Sequence, residues 1–214
     1  LIEYGFTGKI YPVNPKGGVI EGLQAYPSVL DIPGDVDLAI IVVKNVFVLP
    51  TIDQCHEKGI KGLCIISAGF KEAGEEGAEL EKQLLEKVRA YGMRCVGPNC
   101  LGVVNTSPDV SMDGCFAESL PVRGDIGFVS QSGALGGGIL NILKDLNIGF
   151  AQFISIGNQA DVNAEDAIEY WENQDDVHQI LLYMESIQNP ANFRKLATRV
   201  TRRKPIIALK AGRS

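Results

Sequence analysis

Short apolar runs alternate with longer amphipathic segments along most of this chain. Most of the short runs are continuous, which is typical of parallel strands that are buried on both faces. The segments Glu76–Tyr91 and Ala191–Arg202 instead repeat apolar residues at the spacing of a helix with one buried face. The pattern predicts strands at Lys9–Val13, Asp37–Val43, Gly62–Ser67, Met93–Val96, Asp125–Ser130, Gly149–Ile156, Gln179–Met184 and Pro205–Leu209.

Strands that alternate with helices of this length indicate an α/β protein with parallel sheets and right-handed crossovers. The 214 residues are enough for two domains of about 100 residues each. Between Asn105 and Gly124 the chain is rich in Ser, Pro and Gly and lacks a helical period. We therefore predict one domain over residues 1–115 and a second over residues 120–214.

Composition narrows the class of protein. The residues are 45% hydrophobic and 21% charged, as in an ordinary globular protein, and the net charge of −6 argues against general nucleic-acid binding. No apolar run approaches the roughly 20 residues that span a bilayer, so we expect no membrane partner. Five irregularly spaced cysteines without a CxxC favour a reducing, cytoplasmic location over disulfides or a zinc site.

Small and polar residues follow the predicted strands, where ligands bind in open α/β sheets. Lys16 lies in a turn rich in Pro and Gly, where it suits a phosphate, although a solvated surface lysine fits the pattern equally well. Ile66, Ser67 and Ala68 end a buried strand with small residues, which leaves room either for a cofactor or for tight packing of a helix.

Two further strand ends carry Asn99, Cys100 and Ser132. No histidine lies near Cys100 in the sequence to activate it, so a buried structural thiol is the favoured interpretation. Ser132 is placed to cap a helix whose free N–H groups and positive dipole end suit a phosphate. A capped helix without a ligand is the open alternative.

Glu185 follows the apolar strand near residue 180, where its carboxylate either orients a histidine or is simply solvated. The residue pattern alone does not decide between these alternatives. The two histidines, His56 and His178, lie in no glycine-rich or anion-binding context, and we expect both to be structural or surface residues.

Taken in order, seven segments of the chain resemble the NDP-forming acyl-CoA synthetases, which include ADP-forming acetate–CoA ligase and relatives of the succinyl-CoA synthetase α-subunit. The resemblance covers essentially the whole chain, and GPNC-x-G and SQSG are its most specific elements. It implies a Rossmann-like CoA-binding domain followed by a flavodoxin-like domain. The segments are PVNPKGG, CIISAGF, GPNCLG, GFVSQSGALGG, SIGNQADV, MESI and KAGRS.

This resemblance implies an enzyme that interconverts acyl-CoA, ADP and phosphate with free acid, CoA and ATP, through an acyl phosphate and a phosphohistidine. Glu185 matches a glutamate that supports the phosphohistidine. Ser132, Gly133 and Ala134 match the helix N-terminus that holds its phosphate. The residues that match the family's CoA site are Lys16, Ile66, Ser67, Ala68, Asn99 and Cys100.

Some parts of the family pattern fall outside this chain. A first βα unit would precede Leu1, and the phosphohistidine and the ATP-grasp module, which binds ADP or ATP with Mg²⁺, would follow or accompany it. We therefore expect an ATP-grasp module or β-subunit as partner, an oligomer, and no acyl-CoA synthesis by the chain alone. Gly137 replaces the tyrosine of succinate-specific relatives, which favours acetate or another small acid.

A second hypothesis is a regulatory CoA-binding module of a protein lysine acetyltransferase, in which the histidine is commonly lost. The intact SQSG segment and Glu185 favour the enzyme, since both serve the phosphohistidine. An NAD-dependent oxidoreductase is disfavoured because no GxGxxG is followed by an acidic residue about 20 positions on.

Overall fold

The computed structural model describes residues 1–117 and 120–212, which contain eleven strands and five α-helices. The strands are β1 (Val19–Ile20), β2 (Leu23–Gln24), β3 (Leu38–Ile41), β4 (Gly62–Ile65), β5 (Arg94–Val96), β6 (Gly102–Asn105), β7 (Met112–Cys115), β8 (Arg123–Ser130), β9 (Phe150–Ser155), β10 (Gln179–Met184) and β11 (Ile206–Lys210). The α-helices are α1 (Val48–Lys58), α2 (Glu75–Ala90), α3 (Gly133–Asp145), α4 (Ala164–Glu172) and α5 (Pro190–Val200).

The first sheet is parallel and consists of β3, β4 and β5 in that order. Helices α1 and α2 connect its strands, and α1 ends where Gly59 takes a left-handed conformation with φ of 87°. The apolar faces of both helices pack on the sheet, and α2 carries the one-sided pattern predicted for Glu76–Tyr91. The centre of this core is formed by Ile52, Leu63, Phe70, Leu84 and Val88.

The second sheet has the order β11–β10–β8–β9–β6–β7. Its first four strands are parallel, whereas β6 and β7 run antiparallel at one edge. One face of the sheet packs around Trp171 and the other around Phe128 and Phe153. The α/β class and the two kinds of domain predicted from the sequence are thus confirmed, with an antiparallel edge that was not predicted.

The hairpin of β6 and β7 joins the two halves of the molecule. Its residues fall within the predicted first domain, 1–115. Val103 of β6 nevertheless pairs with Ile154 of β9, in the second sheet. Gly114 in β7 lies close to Ile40 of the first sheet. A Cβ added to Gly114 would lie 2.9 Å from Cδ1 of Ile40. The limits of 1–115 and 120–214 stay a prediction, and residues 118, 119, 213 and 214 lie outside the described part of the chain.

Seven of the eight predicted strands are confirmed to within two residues at each end, and both predicted helices are present. The strand predicted at Lys9–Val13 is wrong. Only Val13 forms a bridge there, to Tyr26, flanked by a backbone hydrogen bond from Tyr26 to Pro12. A proline has no N–H to donate, so this run cannot form a continuous ladder.

Candidate functional site

A cavity of about 650 Å³ opens where the loops after β5, β9 and β10 meet the N-terminus of α3. These loops follow the carboxyl ends of parallel strands, the location expected for a ligand in an open α/β sheet. Six of the ten predicted site residues line the cavity, and they are Asn99, Cys100, Ser132, Gly133, Ala134 and Glu185.

The loop after β5 is held between two neighbouring loops. The backbone N–H of Asn99 donates to the carbonyl of Ser67 (3.0 Å), and the N–H of Asn158 donates to the carbonyl of Pro98 (2.9 Å). Gly157 has a φ of 52°, and a Cβ there would lie 2.3 Å from the carbonyl oxygen of Pro98. Only glycine therefore permits this close approach of the two loops, which brings Asn99 to the cavity.

The N-terminus of α3 offers free donors to the cavity. Ser132 caps the helix as predicted, because its Oγ accepts a hydrogen bond from the N–H of Leu135 (3.3 Å). The hydroxyl of Ser130 donates to the carbonyl of Ser132 (2.7 Å) and fixes the turn. The N–H groups of Gly133 and Ala134 contact no acceptor among the described residues. This end of the helix can accordingly bind an anion.

Glu185 lines the same cavity as the N-terminus of α3. Its side chain is exposed and makes no hydrogen bond or ion pair with the described residues, whereas its backbone N–H donates to Oε1 of Gln131 (2.8 Å). A free carboxylate at this position can accept a hydrogen bond from an imidazole N–H. The predicted role of Glu185 in supporting a phosphohistidine stays a prediction.

Cys100 has the environment of a structural thiol. It is 4% exposed, and its Sγ lies 3.3 Å from the carbonyl oxygen of Ile65 and 3.9 Å from Sγ of Cys64. The hydrogen bond with Cys100, together with burial, raises the pKa of Cys64. Both histidines have other neighbours: His56 stacks on a tyrosine ring, and His178 pairs with a surface aspartate. No described imidazole is thus placed to activate this thiol.

The other four predicted site residues do not line this cavity. Lys16 is exposed, and its ammonium group has no partner among the described residues. The hydroxyl of Ser67 accepts from the N–H of Val43 (3.1 Å) and donates to its carbonyl (2.6 Å), so it is already engaged. Ile66 and Ala68 flank it at the end of β4. Their assignment to a CoA site stays a prediction.

A polar network beside the cavity was not predicted. The amide of Asn158 donates to Oε2 of Glu72 (2.5 Å) and to Oε2 of Glu81 (2.7 Å), and it accepts from Asn99 (3.3 Å). The ammonium of Lys71 donates to the carbonyl of Asn158 and pairs with Glu81 (3.3 Å). The sequence offered a signal for part of it, because Lys71 and Glu72 directly follow CIISAGF and Asn158 lies within SIGNQADV, whereas Glu81 lies inside α2.

Glu72 is the carboxylate of this network that lines the cavity. Burial raises its pKa, but the hydrogen bonds from Asn158 and from the N–H of Gly69 outweigh that effect. The pKa of Glu72 therefore lies below its ordinary value, and the network contains a carboxylate that is ionised at neutral pH.

Asp161 fixes the loop after β9 to the first sheet. Its side chain is 2% exposed and accepts from Nε of Arg94 (2.8 Å), from Nη2 of Arg89 (3.3 Å) and from the N–H of Cys95 (3.0 Å). Because the loop also contains Asn158, this contact helps to hold the cavity wall in place.

The described residues include no helix that is long and apolar enough to cross a membrane. They also include no group of three or more His, Cys, Asp or Glu side chains that could hold a metal ion.

Two family models match consecutive parts of the chain. A CoA-binding domain matches residues 2–106, and a succinyl-CoA ligase-like flavodoxin domain matches residues 123–214. The two models together define a chain built from a CoA-binding domain and a succinyl-CoA ligase-like flavodoxin domain. The chain belongs to the NDP-forming acyl-CoA synthetase family, as the resemblance of its motifs predicted.

Named relatives agree with this family. The α subunit of ADP-forming acetate–CoA ligase II of Pyrococcus furiosus is 48% identical over 207 residues, which cover 97% of this chain and 45% of the relative. The ADP-forming 4-hydroxybutyrate–CoA ligase of Nitrosopumilus maritimus is 40% identical, and the match covers the whole of this chain and 31% of the relative. Neither relative supports the alternative of a regulatory module of an acetyltransferase.

A solved structure has the same fold. It is the dinucleotide-forming acetyl-coenzyme A synthetase 1 of Ca. Korarchaeum cryptofilum in complex with phosphate and ADP, with a TM-score of 0.94 and 39% identity. The match covers the whole of this chain and 46% of that chain. The present chain spans about half the length of the acetate–CoA ligase α subunits that it matches, and about a third of the 4-hydroxybutyrate–CoA ligase.

Proposed function

We propose that the complete protein is an ADP-forming acid–CoA ligase, which interconverts acyl-CoA, ADP and phosphate with a free acid, CoA and ATP through an acyl phosphate and a phosphohistidine. The observation that carries this proposal is the cavity, which is lined both by the N-terminus of α3 and by a carboxylate that has no partner among the described residues. A phosphoryl group and an imidazole are the pair of groups that such a site fits. The names of the relatives agree with this reaction.

The residues of this chain make two kinds of contact, one with the phosphoryl group and one with the imidazole. The N–H groups of Gly133 and Ala134, with the cap at Ser132, bind the phosphoryl oxygens and stabilise their charge electrostatically. The carboxylate of Glu185 accepts a hydrogen bond from the imidazole and selects its tautomer. Neither His56 nor His178 lines the cavity, so the imidazole would come from elsewhere in the complete protein.

CoA would bind along the carboxyl ends of the first sheet. Lys16 supplies a free ammonium for a phosphate of the cofactor, and the segment of Ile66, Ser67 and Ala68 lies where a strand end can line its path. Asn99 and Cys100 lie at the wall that the CoA thiol would approach. The cavity thereby connects the thiol to the phosphoryl site, as an acyl transfer requires.

The remaining parts of the reaction need partners. ADP or ATP, with Mg²⁺, would bind in an ATP-grasp module on the same protein or on a β-subunit, and we expect an oligomer in the cytoplasm. Gly137 leaves open space beside α3, since a Cβ there would meet only Leu101, at 3.6 Å. We infer that acetate or another small acid is the substrate.

The test is an assay of the complete protein with ATP, Mg²⁺, CoA and a panel of acids from acetate to succinate. We expect acyl-CoA formation, with a small acid preferred, and an acid-labile phosphoenzyme on labelling with [γ-³²P]ATP. Glu185→Gln should lower turnover about 10- to 100-fold, the range of a general orienting contact. Absence of acyl-CoA with every acid, together with absence of a phosphoenzyme, would refute the proposal.

A further inference from the structure

The side chain of Gln131 joins two parts of the candidate site. Its Oε1 accepts hydrogen bonds from the N–H groups of Glu185 (2.8 Å) and Ser186 (3.0 Å), and its Nε2 donates to Oγ of Ser186 (3.1 Å). Gln131 is the residue between β8 and the helix cap Ser132. One amide therefore connects the turn that begins α3 to the loop that carries Glu185.

Parallel pairing of β8 and β10 brings these groups together. Ser130 pairs with Tyr183, and the N–H of Gln131 donates to the carbonyl of Tyr183 (2.9 Å), one hydrogen bond beyond the last paired residues. The two strands then diverge, and the side chain of Gln131 continues the pairing in place of the backbone. An alanine at this position would leave the N–H groups of residues 185 and 186 without this acceptor.

A second glutamine holds the same loop from the other side. Nε2 of Gln159 also donates to Oγ of Ser186 (2.9 Å), and the carbonyl of Gln159 accepts from the side chain of Gln188 (2.8 Å). Gln159 is 3% exposed and lies in the loop after β9. The Ser186 hydroxyl is thus fixed between two amides, while the adjacent carboxylate of Glu185 makes no hydrogen bond or ion pair with the described residues.

This arrangement restrains the backbone of Glu185 and leaves its carboxylate available. An exposed carboxylate gains little stability from pairing, so folding does not require the carboxylate of Glu185 itself to be bonded. Instead, the polar side chains of Gln131 and Gln159 bind the backbone and the neighbouring hydroxyl. That is the pattern of a preorganised functional group supported by the residues around it.

We propose that Gln131 is a positioning residue, which holds the carboxylate of Glu185 at a fixed place in the cavity that the N-terminus of α3 also lines. This inference rests on the proposed function, because it assigns Glu185 a task in phosphoryl transfer. Displacement of a reacting group by about 1 Å can lower a rate by about 100-fold. Loss of the Gln131 acceptor should therefore lower turnover without changing how CoA binds.

The experiment is a double-mutant cycle in the complete enzyme with its nucleotide-binding partner. Gln131→Met keeps the length of the side chain and removes its hydrogen bonds, and we expect kcat to fall about 10- to 100-fold with KM for CoA within about twofold of wild type. In a Glu185→Gln background the same change should cost less than about threefold, since the group that it positions is already lost.

The matched control is Gln179→Met. This glutamine begins β10, at the end of that strand far from Glu185, and among the described residues its amide donates only to Asp125 (3.3 Å), so we expect unchanged kcat. Ser186→Ala removes the hydroxyl but keeps the two bonds to Oε1, so it should give a smaller loss with the same dependence on Glu185. This variant provides the cycle if Gln131→Met does not fold.

The outcomes separate this inference from the proposed function. Equal losses from Gln131→Met in the wild-type and Glu185→Gln backgrounds, or no loss at all, would overturn the positioning role. An active enzyme in which Glu185→Gln has no effect would overturn both the positioning role and the predicted task of Glu185. A wild-type protein without ligase activity would overturn the proposed function itself.

Discussion

Replacing Asp161 with alanine tests how the loop after β9 is held against the first sheet. The change removes a nearly buried carboxylate that accepts three hydrogen bonds, from Arg94, from Arg89 and from the backbone N–H of Cys95. Both arginines can turn to water after the change, because their side chains are more than half exposed. The N–H of Cys95 cannot, since that residue is buried.

The expected cost follows from these differences. A buried N–H left without an acceptor costs about 1–3 kcal/mol, and the charge-assisted bond to Arg94 adds about 1 kcal/mol once its exposure is taken into account. The more distant and exposed bond to Arg89 adds little. We therefore expect Asp161→Ala to lower the free energy of unfolding by about 3 kcal/mol.

Urea denaturation followed by tryptophan fluorescence measures this loss. The chain contains one tryptophan, Trp171, which is buried in the second sheet's core and reports on its unfolding. With a urea dependence of about 2 kcal/mol per molar, the midpoint should fall by about 1.5 M. Asp125→Ala is the control, because it removes an exposed pair with His178 and should cost less than about 0.5 kcal/mol. A midpoint for Asp161→Ala as close to wild type as that of the control would refute the reasoning.

Three further changes test the site and its surroundings. Gly157→Ala should lower the free energy of unfolding by about 2–4 kcal/mol, because the new Cβ would overlap the carbonyl of Pro98 and the φ of residue 157 is positive. An unchanged melting temperature would contradict the close approach of the two loops. Because the pKa of Glu72 is lowered, the folded state binds fewer protons in acid than the unfolded state, and the free energy of unfolding should fall as the pH drops below about 4.5. Glu72→Gln should flatten this pH dependence when stability is measured across the acid range. Burial raises the pKa of Cys95 to about 12, so iodoacetamide should leave this thiol unmodified in the native protein at neutral pH, as mass spectrometry can show. Labelling of Cys95 as fast as that of a free thiol would exclude this burial.

The sequence predicted the parallel strands well because their signal is local. Strands such as Gly62–Ile65 and Gln179–Met184 are continuous apolar runs, and burial on both faces requires that pattern. The cap at Ser132 was also predictable, since it depends on a serine directly before a helical segment. Six of the ten predicted site residues line the cavity for the same reason, since they follow these strands, while their roles stay a prediction.

The parts that the sequence did not predict depend on neighbours far along the chain. The hairpin of β6 and β7 has two four-residue strands, and β6 pairs with a strand that begins 45 residues after it ends. The network around Asn158 joins residues that are up to 87 positions apart. Neither contact has a local pattern, so both become visible only when the order of the strands is known.

The long-range pairing of this hairpin has a consequence for synthesis on the ribosome. At about 5–20 residues per second, several seconds pass between the emergence of β6 and that of β9, its partner across Val103 and Ile154. During that interval the inner edge of the hairpin has unpaired N–H and C=O groups, which are a template for pairing with other chains. The nascent protein is therefore most open to aggregation after the first sheet has formed and before β9 arrives, which is the interval when a chaperone would protect it most.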